Sequence, residues 1–134
     1  MIAFDTNVLL RLLIVDDENQ AKRARALMER AVNANDHVLL PDIVLCELAW
    51  VLKSLYAQSR LEIVETLRLL LETEPFSFAN RSAVSQAVAQ YERGPADFSD
   101  YMIGLSATAS GATTTYTFDA SLRRNPMFDF PASL

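Results

Sequence analysis

Cysteine, histidine and glycine are scarce in this chain, and each scarcity closes off a class of function. A single cysteine, Cys46, excludes an internal disulfide framework and a zinc site built from several thiolates. The one histidine, His37, begins a strand with no partner pattern around it and reads as structural. Three glycines and five prolines leave few breaks, so those present mark boundaries. Apolar runs such as Leu12 to Val15 fall far short of the ~18 residues that a membrane span needs. A basic leader with an apolar core is also lacking, because Met1-Ile2-Ala3-Phe4 leads straight into Asp5. The expectation is a cytoplasmic protein with no membrane partner. Nor is there an excess of positive charge: 12 Lys and Arg against 17 Asp and Glu leave −5. Taken alone, that balance points away from a domain that grips nucleic acid by bulk charge.

What is present reads as one globular domain spanning 1–134, with 51% hydrophobic and 22% charged residues. Ile2-Ala3-Phe4 is expected as a short buried strand, and from Thr6 the positions Val8, Leu9, Leu12 and Leu13 recur at helical spacing. Asp16-Asp17-Glu18 opens a second helix, with acids where the helix dipole favours them. His37 to Leu40 is a second strand, closed by Pro41. Asp42 is expected to cap a helix to about Tyr56, and Ser59 the next, to about Thr73. Pro75 to Phe78 is a weak strand, and Arg81 to Arg93 a helix ended by Gly94-Pro95. Asp97 to Ser110 is helical with Gly111 as its C-terminal cap, and Thr113 to Phe118 is a strand. Asp119 to Arg124 forms a short helical turn, and Phe128 to Phe130 a last edge strand. Alternating strands and helices imply α/β architecture with a parallel sheet covered on both faces.

Acids sit where α/β proteins place their sites, after strands and at helix starts: Asp5, Asp97 with Asp100, and Asp119. Each taken singly reads equally as a helix cap or turn residue, and Asp97-Phe98-Ser99-Asp100 has capping-box spacing with Asp in place of Glu. Glu47 is harder to explain that way. Its helix, Ile43 to Leu52, is apolar all round and is therefore expected to be buried. A carboxylate buried there costs several kcal/mol unless it is paired, for instance with Arg11, or bound to metal. Carboxylates without histidine or cysteine suit a hard cation such as Mg²⁺ or Mn²⁺, and such sites serve phosphate chemistry.

Asp5-Thr6-Asn7 after the first strand, Glu47 in an apolar helix, Asp97-Phe98-Ser99-Asp100 at a late helix start, and Thr117-Phe118-Asp119 after the next strand resemble a PIN domain. In size and spacing they resemble more narrowly the VapC-type toxins of bacterial and archaeal toxin–antitoxin pairs. The resemblance covers Ile2 to about Phe128. It implies a three-layer α/β/α fold with a short, mainly parallel sheet, and a Mg²⁺- or Mn²⁺-dependent endoribonuclease silenced by a cognate antitoxin. It implies Asp5, Glu47, Asp100 and Asp119 as the catalytic, metal-holding quartet and Asp97 as an accessory metal-binding acid. Thr6, Asn7 and Thr117 match the family's orienting polar positions. Asp100-Tyr101-Met102-Ile103-Gly104 departs from the family's Asp-Ala-Leu-Ile-Ala in its bulk beside the acid.

Arg11, Arg123 and Arg124 are candidate RNA contacts, and Lys22, Arg23, Arg25 and Arg30 read either as phosphate contacts or as a solvated helix face. Trp50, Leu52, Leu55 and Tyr56, with Leu67, Leu69, Leu70 and Leu71, are core by default, though their abundance also suits a homodimer or an antitoxin groove. Other classes stay in view: a PIN-like module that binds RNA or protein without cutting, and a housekeeping RNA-processing nuclease. A phosphohydrolase is disfavoured, because position 7 is Asn and both lysines, Lys22 and Lys53, lie early. Assigning five acids to a site leaves 12 to balance the 12 bases. The acidic total is then the site counted as surface charge, and RNA binding is expected to depend strongly on metal and modestly on salt.

Overall fold

The computed structural model describes residues 1–132. The chain divides into two compact units, Met1–Arg81 and the remainder from Ser82. In the first, the order is β1 (Ile2–Ala3), α1 (Thr6–Leu13), α2 (Glu18–Asn33), β2 (Val38–Leu39), α3 (Asp42–Ser54), α4 (Arg60–Glu72) and β3 (Phe76–Ser77). The strands pair in parallel in the order β1-β2-β3, Ile2 opposite Val38 and Val38 opposite Phe76.

Local chemistry explains most of the boundaries. Asp5 caps α1, its Oδ1 accepting the Val8 N–H at 3.0 Å, and Asp17 caps α2 through the Gln20 N–H at 3.0 Å. Alanines on the inner face of α2, among them Ala21 and Ala24, are buried and let it pack closely on α1. Ser59 and Glu62 form a reciprocal capping box at the head of α4. Hydrogen bonds from Ser59, its backbone N–H first and its side chain second, hold the Glu62 carboxyl below its ordinary pKa. The core includes Phe4, Leu9, Leu40, Leu45, Leu48, Leu52, Ile63 and Leu67, with Phe4 and Phe76 edge to face at 6.3 Å.

Four expectations are corrected here. Pro41, not Asp42, is the N-cap of α3; Asp42 is the first helical residue, its Oδ1 buried without a hydrogen-bond partner. The strand Ile2–Ala3 is exposed, because β1 lies at the edge of its sheet; of that segment only Phe4 is buried. Helix α3 is not buried all round. Val44, Leu45, Leu48, Ala49 and Leu52 turn inward, whereas Ile43, Glu47 and Trp50 form an exposed stripe. Leu55 and Leu69, expected in the core, are also exposed.

The second unit contains α5 (Arg81–Arg93, whose first residue closes the first unit), α6 (Phe98–Ala109), β4 (Thr115–Tyr116), a single 3₁₀ turn (Ala120–Leu122) and β5 (Phe128–Asp129). Strands β4 and β5 pair in parallel, Thr115 opposite Phe128. Gly94 sits at φ 68° in the break after α5, and Gly111 at φ 99° ends α6 as expected. Phe98 packs edge to face on Tyr91 at 6.1 Å. The bulk at Tyr101 is accommodated: the ring is buried and its hydroxyl accepts the Ala96 N–H at 3.0 Å. Gly104 matters for a different reason, since a Cβ there would lie 2.8 Å from the Phe128 ring. Among the described residues no helix is long and apolar enough to cross a membrane.

Candidate active site

In the first unit Asp5, Thr6 and Asn7 stand at the head of α1 and Arg11 in its last turn. Asp5 is exposed while capping the helix, Thr6 is buried, and Asn7 points outward. Asp5, Asn7 and Arg11 line one cavity of about 270 Å³, whose opposite wall is Gln20 and Arg23 from α2. Arg11 does not pair with Glu47. Its Nη1 meets Asp16 Oδ1 at 2.7 Å and its Nε donates to Gln20 Oε1 at 2.6 Å. The second oxygen of Asp16 accepts the Tyr56 hydroxyl at 3.0 Å. An acid beside two guanidiniums can attract a cation and a phosphate to the same place. Glu47 is absent from this cavity. It lies on the exposed stripe of α3, so the buried carboxylate expected there is not observed, and no desolvation cost calls for a partner.

In the second unit Asp97 and Asp100 stand together at the head of α6. They form the capping box, with the Asp97 N–H donating to Asp100 Oδ2 at 3.0 Å. Asp119 follows β4 and caps the 3₁₀ turn. Its Oδ1 accepts both the Ser121 hydroxyl at 2.7 Å and the Ser121 N–H at 2.9 Å. Those bonds, the hydroxyl's first, hold the Asp119 carboxyl below its ordinary pKa and keep it charged. Thr117 supports the same residue, its Oγ1 accepting the Asp119 N–H at 3.0 Å. Arg123 stacks over the Phe130 ring at 4.5 Å. Arg124 lines a second cavity, of about 350 Å³, together with Arg93 and Ser121.

Sequence reasoning singles out neither Gln20, Arg93 nor Ser121, and leaves Arg23 open as a phosphate contact or part of a solvated helix face. The Asp-x-Ser spacing of residues 119–121 was a usable signal, since Asp side chains hold the backbone two residues on. Arg93 carried none.

The PIN domain family matches residues 2–126. The chain belongs to the PIN domain family. With that, the PIN-like α/β fold class expected from the sequence stands, and both sheets are parallel throughout. PIN domains are generally metal-dependent nucleases, so membership suggests nuclease chemistry and RNA binding. No curated protein matches the chain. Among the described residues no three of Asp, Glu, His and Cys are grouped closely enough to form a ready metal cluster. In kind, the donors do fit a hard divalent cation. They are oxygen-only, Asp5 is exposed, and Asp119 is held in its charged form.

Proposed function

We propose that this PIN domain is a Mg²⁺- or Mn²⁺-dependent endoribonuclease that works as a single domain, the toxin of a toxin–antitoxin pair in the cytoplasm. The observation that carries the reading is the α1 cavity, where Asp5 shares its walls with Arg11 and Arg23. Asp5, Glu47, Asp100 and Asp119, with Asp97 as accessory, are the residues that would hold the cation. A bound divalent ion would supply Lewis-acid charge on the phosphate and make a water more acidic than bulk water. The protein's own part is positional. Backbone caps fix Asp5 and Asp119, and Thr117 and Ser121 steady the latter. Arg11, already tied to Asp16 and Gln20, presents a fixed guanidinium to an incoming phosphate. Thr6 and Asn7 orient the head of α1. The exposed apolar side chains Ile43, Trp50 and Leu55 support a protein partner, the cognate antitoxin or a second copy.

The test is cleavage of a mixed RNA substrate by the purified chain with Mg²⁺ or Mn²⁺, with EDTA, and with Asp119→Asn. Cutting that needs metal and is lost in the variant is expected. Cutting that survives EDTA overturns the mechanism. Failure to bind Mn²⁺ by calorimetry would leave a binding module in its place.

A further inference from the structure

The cavity in the second unit has the opposite electrostatic character from the acids around which the nuclease reading is built. Its lining includes Arg93 and Arg124 and no carboxylate, in a chain whose net charge is −5. Among the described residues neither guanidinium has an ion-pair or hydrogen-bond partner, in contrast to Arg11. Two unneutralised arginines facing one concavity repel each other, and an anion relieves that repulsion.

Three further features narrow the ligand. At about 350 Å³ the cavity far exceeds a phosphate group and falls within the ~300–1,000 Å³ range of small-ligand sites. Its lining carries a fixed amide pair: Asn125 Nδ2 donates to Gln90 Oε1 at 2.9 Å, and Asn125 Oδ1 accepts the Met127 N–H at 3.0 Å. That leaves the Gln90 amide NH₂ as a donor beside the apolar face of Met127, which suits the edge and face of a base. Finally, Ser121 belongs to the lining and is also the residue whose N–H and hydroxyl both bind Asp119. An occupant therefore lies next to a candidate catalytic acid.

We propose that this cavity is a nucleotide subsite, in which Arg93 and Arg124 take one phosphate of the RNA chain and Gln90 and Met127 take its base. The inference rests on the ribonuclease reading and deepens it, by placing a bound nucleotide beside the scissile position. Free phosphate shares the anionic chemistry, so the experiment separates the two.

Uridine 5′-monophosphate, uridine and inorganic phosphate are titrated into the full chain in EDTA, followed by calorimetry and amide NMR shifts. The monophosphate is expected to bind at least tenfold more tightly than either other probe, with shifts centred on Gln90, Ser121 and Asn125. Arg93→Gln or Arg124→Gln is expected to weaken it roughly tenfold, the worth of one charge-assisted contact. Both side chains are exposed and, among the described residues, unpartnered, so the variants keep the fold, which circular dichroism checks. In cleavage assays with metal, the same variants are expected to raise KM and spare kcat. Equal binding of uridine, equal binding of inorganic phosphate, or indifference to both substitutions overturns the proposal. Arginine-dependent nucleotide binding in EDTA without cleavage in any metal supports the subsite while sinking the nuclease reading.

Discussion

Asp5 carries two jobs that substitution can pull apart. Its carboxylate caps α1 through one 3.0 Å bond to the Val8 N–H, and it is also proposed to hold the catalytic cation. Asparagine caps helices about as well as aspartate, because the amide oxygen accepts the same bond; alanine cannot, and losing the cap costs about 1 kcal/mol. At about 2.1 cal/mol/K per residue, a chain of 134 residues unfolds with an entropy of about 0.28 kcal/mol/K. Asp5→Ala is therefore expected to lower Tm by roughly 3–4 °C, and Asp5→Asn by no more than about 1 °C. Cleavage should not follow that order. Neighbours of metal ligands typically cost 10–100-fold when removed, so a direct ligand should cost at least about 100-fold in kcat in both variants. The assay pairs thermal unfolding, read by circular dichroism, with single-turnover cleavage in Mn²⁺. If Asp5→Asn loses as much Tm as Asp5→Ala, the cap works through charge and the hydrogen-bond reasoning fails. If Asp5→Asn cuts at the native rate, Asp5 holds no cation.

Gly104→Ala is expected to destabilise by about 1–3 kcal/mol, because its methyl would sit 2.8 Å from the Phe128 ring and 2.9 Å from Met127 Cε. A lower urea midpoint at unchanged slope checks this. Ser121→Ala removes the hydroxyl and should raise the Asp119 pKa toward its ordinary 3.8, read by carboxyl NMR titration. Because that pKa is depressed in the native protein, its contribution to stability is complete above the unfolded value. It is lost as pH falls through the native one; in the variant the native value lies nearer the unfolded one, so the contribution is smaller and its loss is complete at higher pH. Trp50→Ser should leave stability within about 0.5 kcal/mol, since the indole is 63% exposed. It should weaken self-association or antitoxin binding in sedimentation experiments, and a large loss of stability would instead make Trp50 a core residue.

Features written in a few adjacent residues are legible in the sequence alone. Asp5, Ser59, Asp97 and Asp119 each cap where the sequence placed them, because the donor they satisfy lies two or three residues away. Gly111 is similar, since the backbone angle it adopts depends only on the end of α6. Orientation was not legible. In α3 every turn offers apolar side chains, so periodicity could not say which face turns inward, and Glu47 came out on the other. Strand length was overestimated for a related reason. Thr113 to Phe118 has β-forming chemistry, but a strand extends only as far as its neighbour pairs, here Thr115–Tyr116 against β5. The partner of Arg11 was misassigned because Asp16, five residues on, looked like part of a helix start. Arg93 joined Arg124 only through the packing of the second unit, which no local pattern encodes.

The clamp on Arg11 also divides the labour inside the α1 cavity. An arginine side chain that must be frozen by its ligand gives up on the order of 1.5–2 kcal/mol of rotamer entropy when binding occurs. Arg11 has already surrendered that freedom during folding, to Asp16 and Gln20, with Tyr56 steadying Asp16 from just beyond the end of α3. Arg23, exposed on the opposite wall, has no such ties among the described residues. One cation is thus a fixed gauge and the other a loose finger. The gauge sets where a phosphate stops, and the finger follows whatever shape arrives, so substitution of Arg11 should scatter the position of cutting while substitution of Arg23 should mainly slow it.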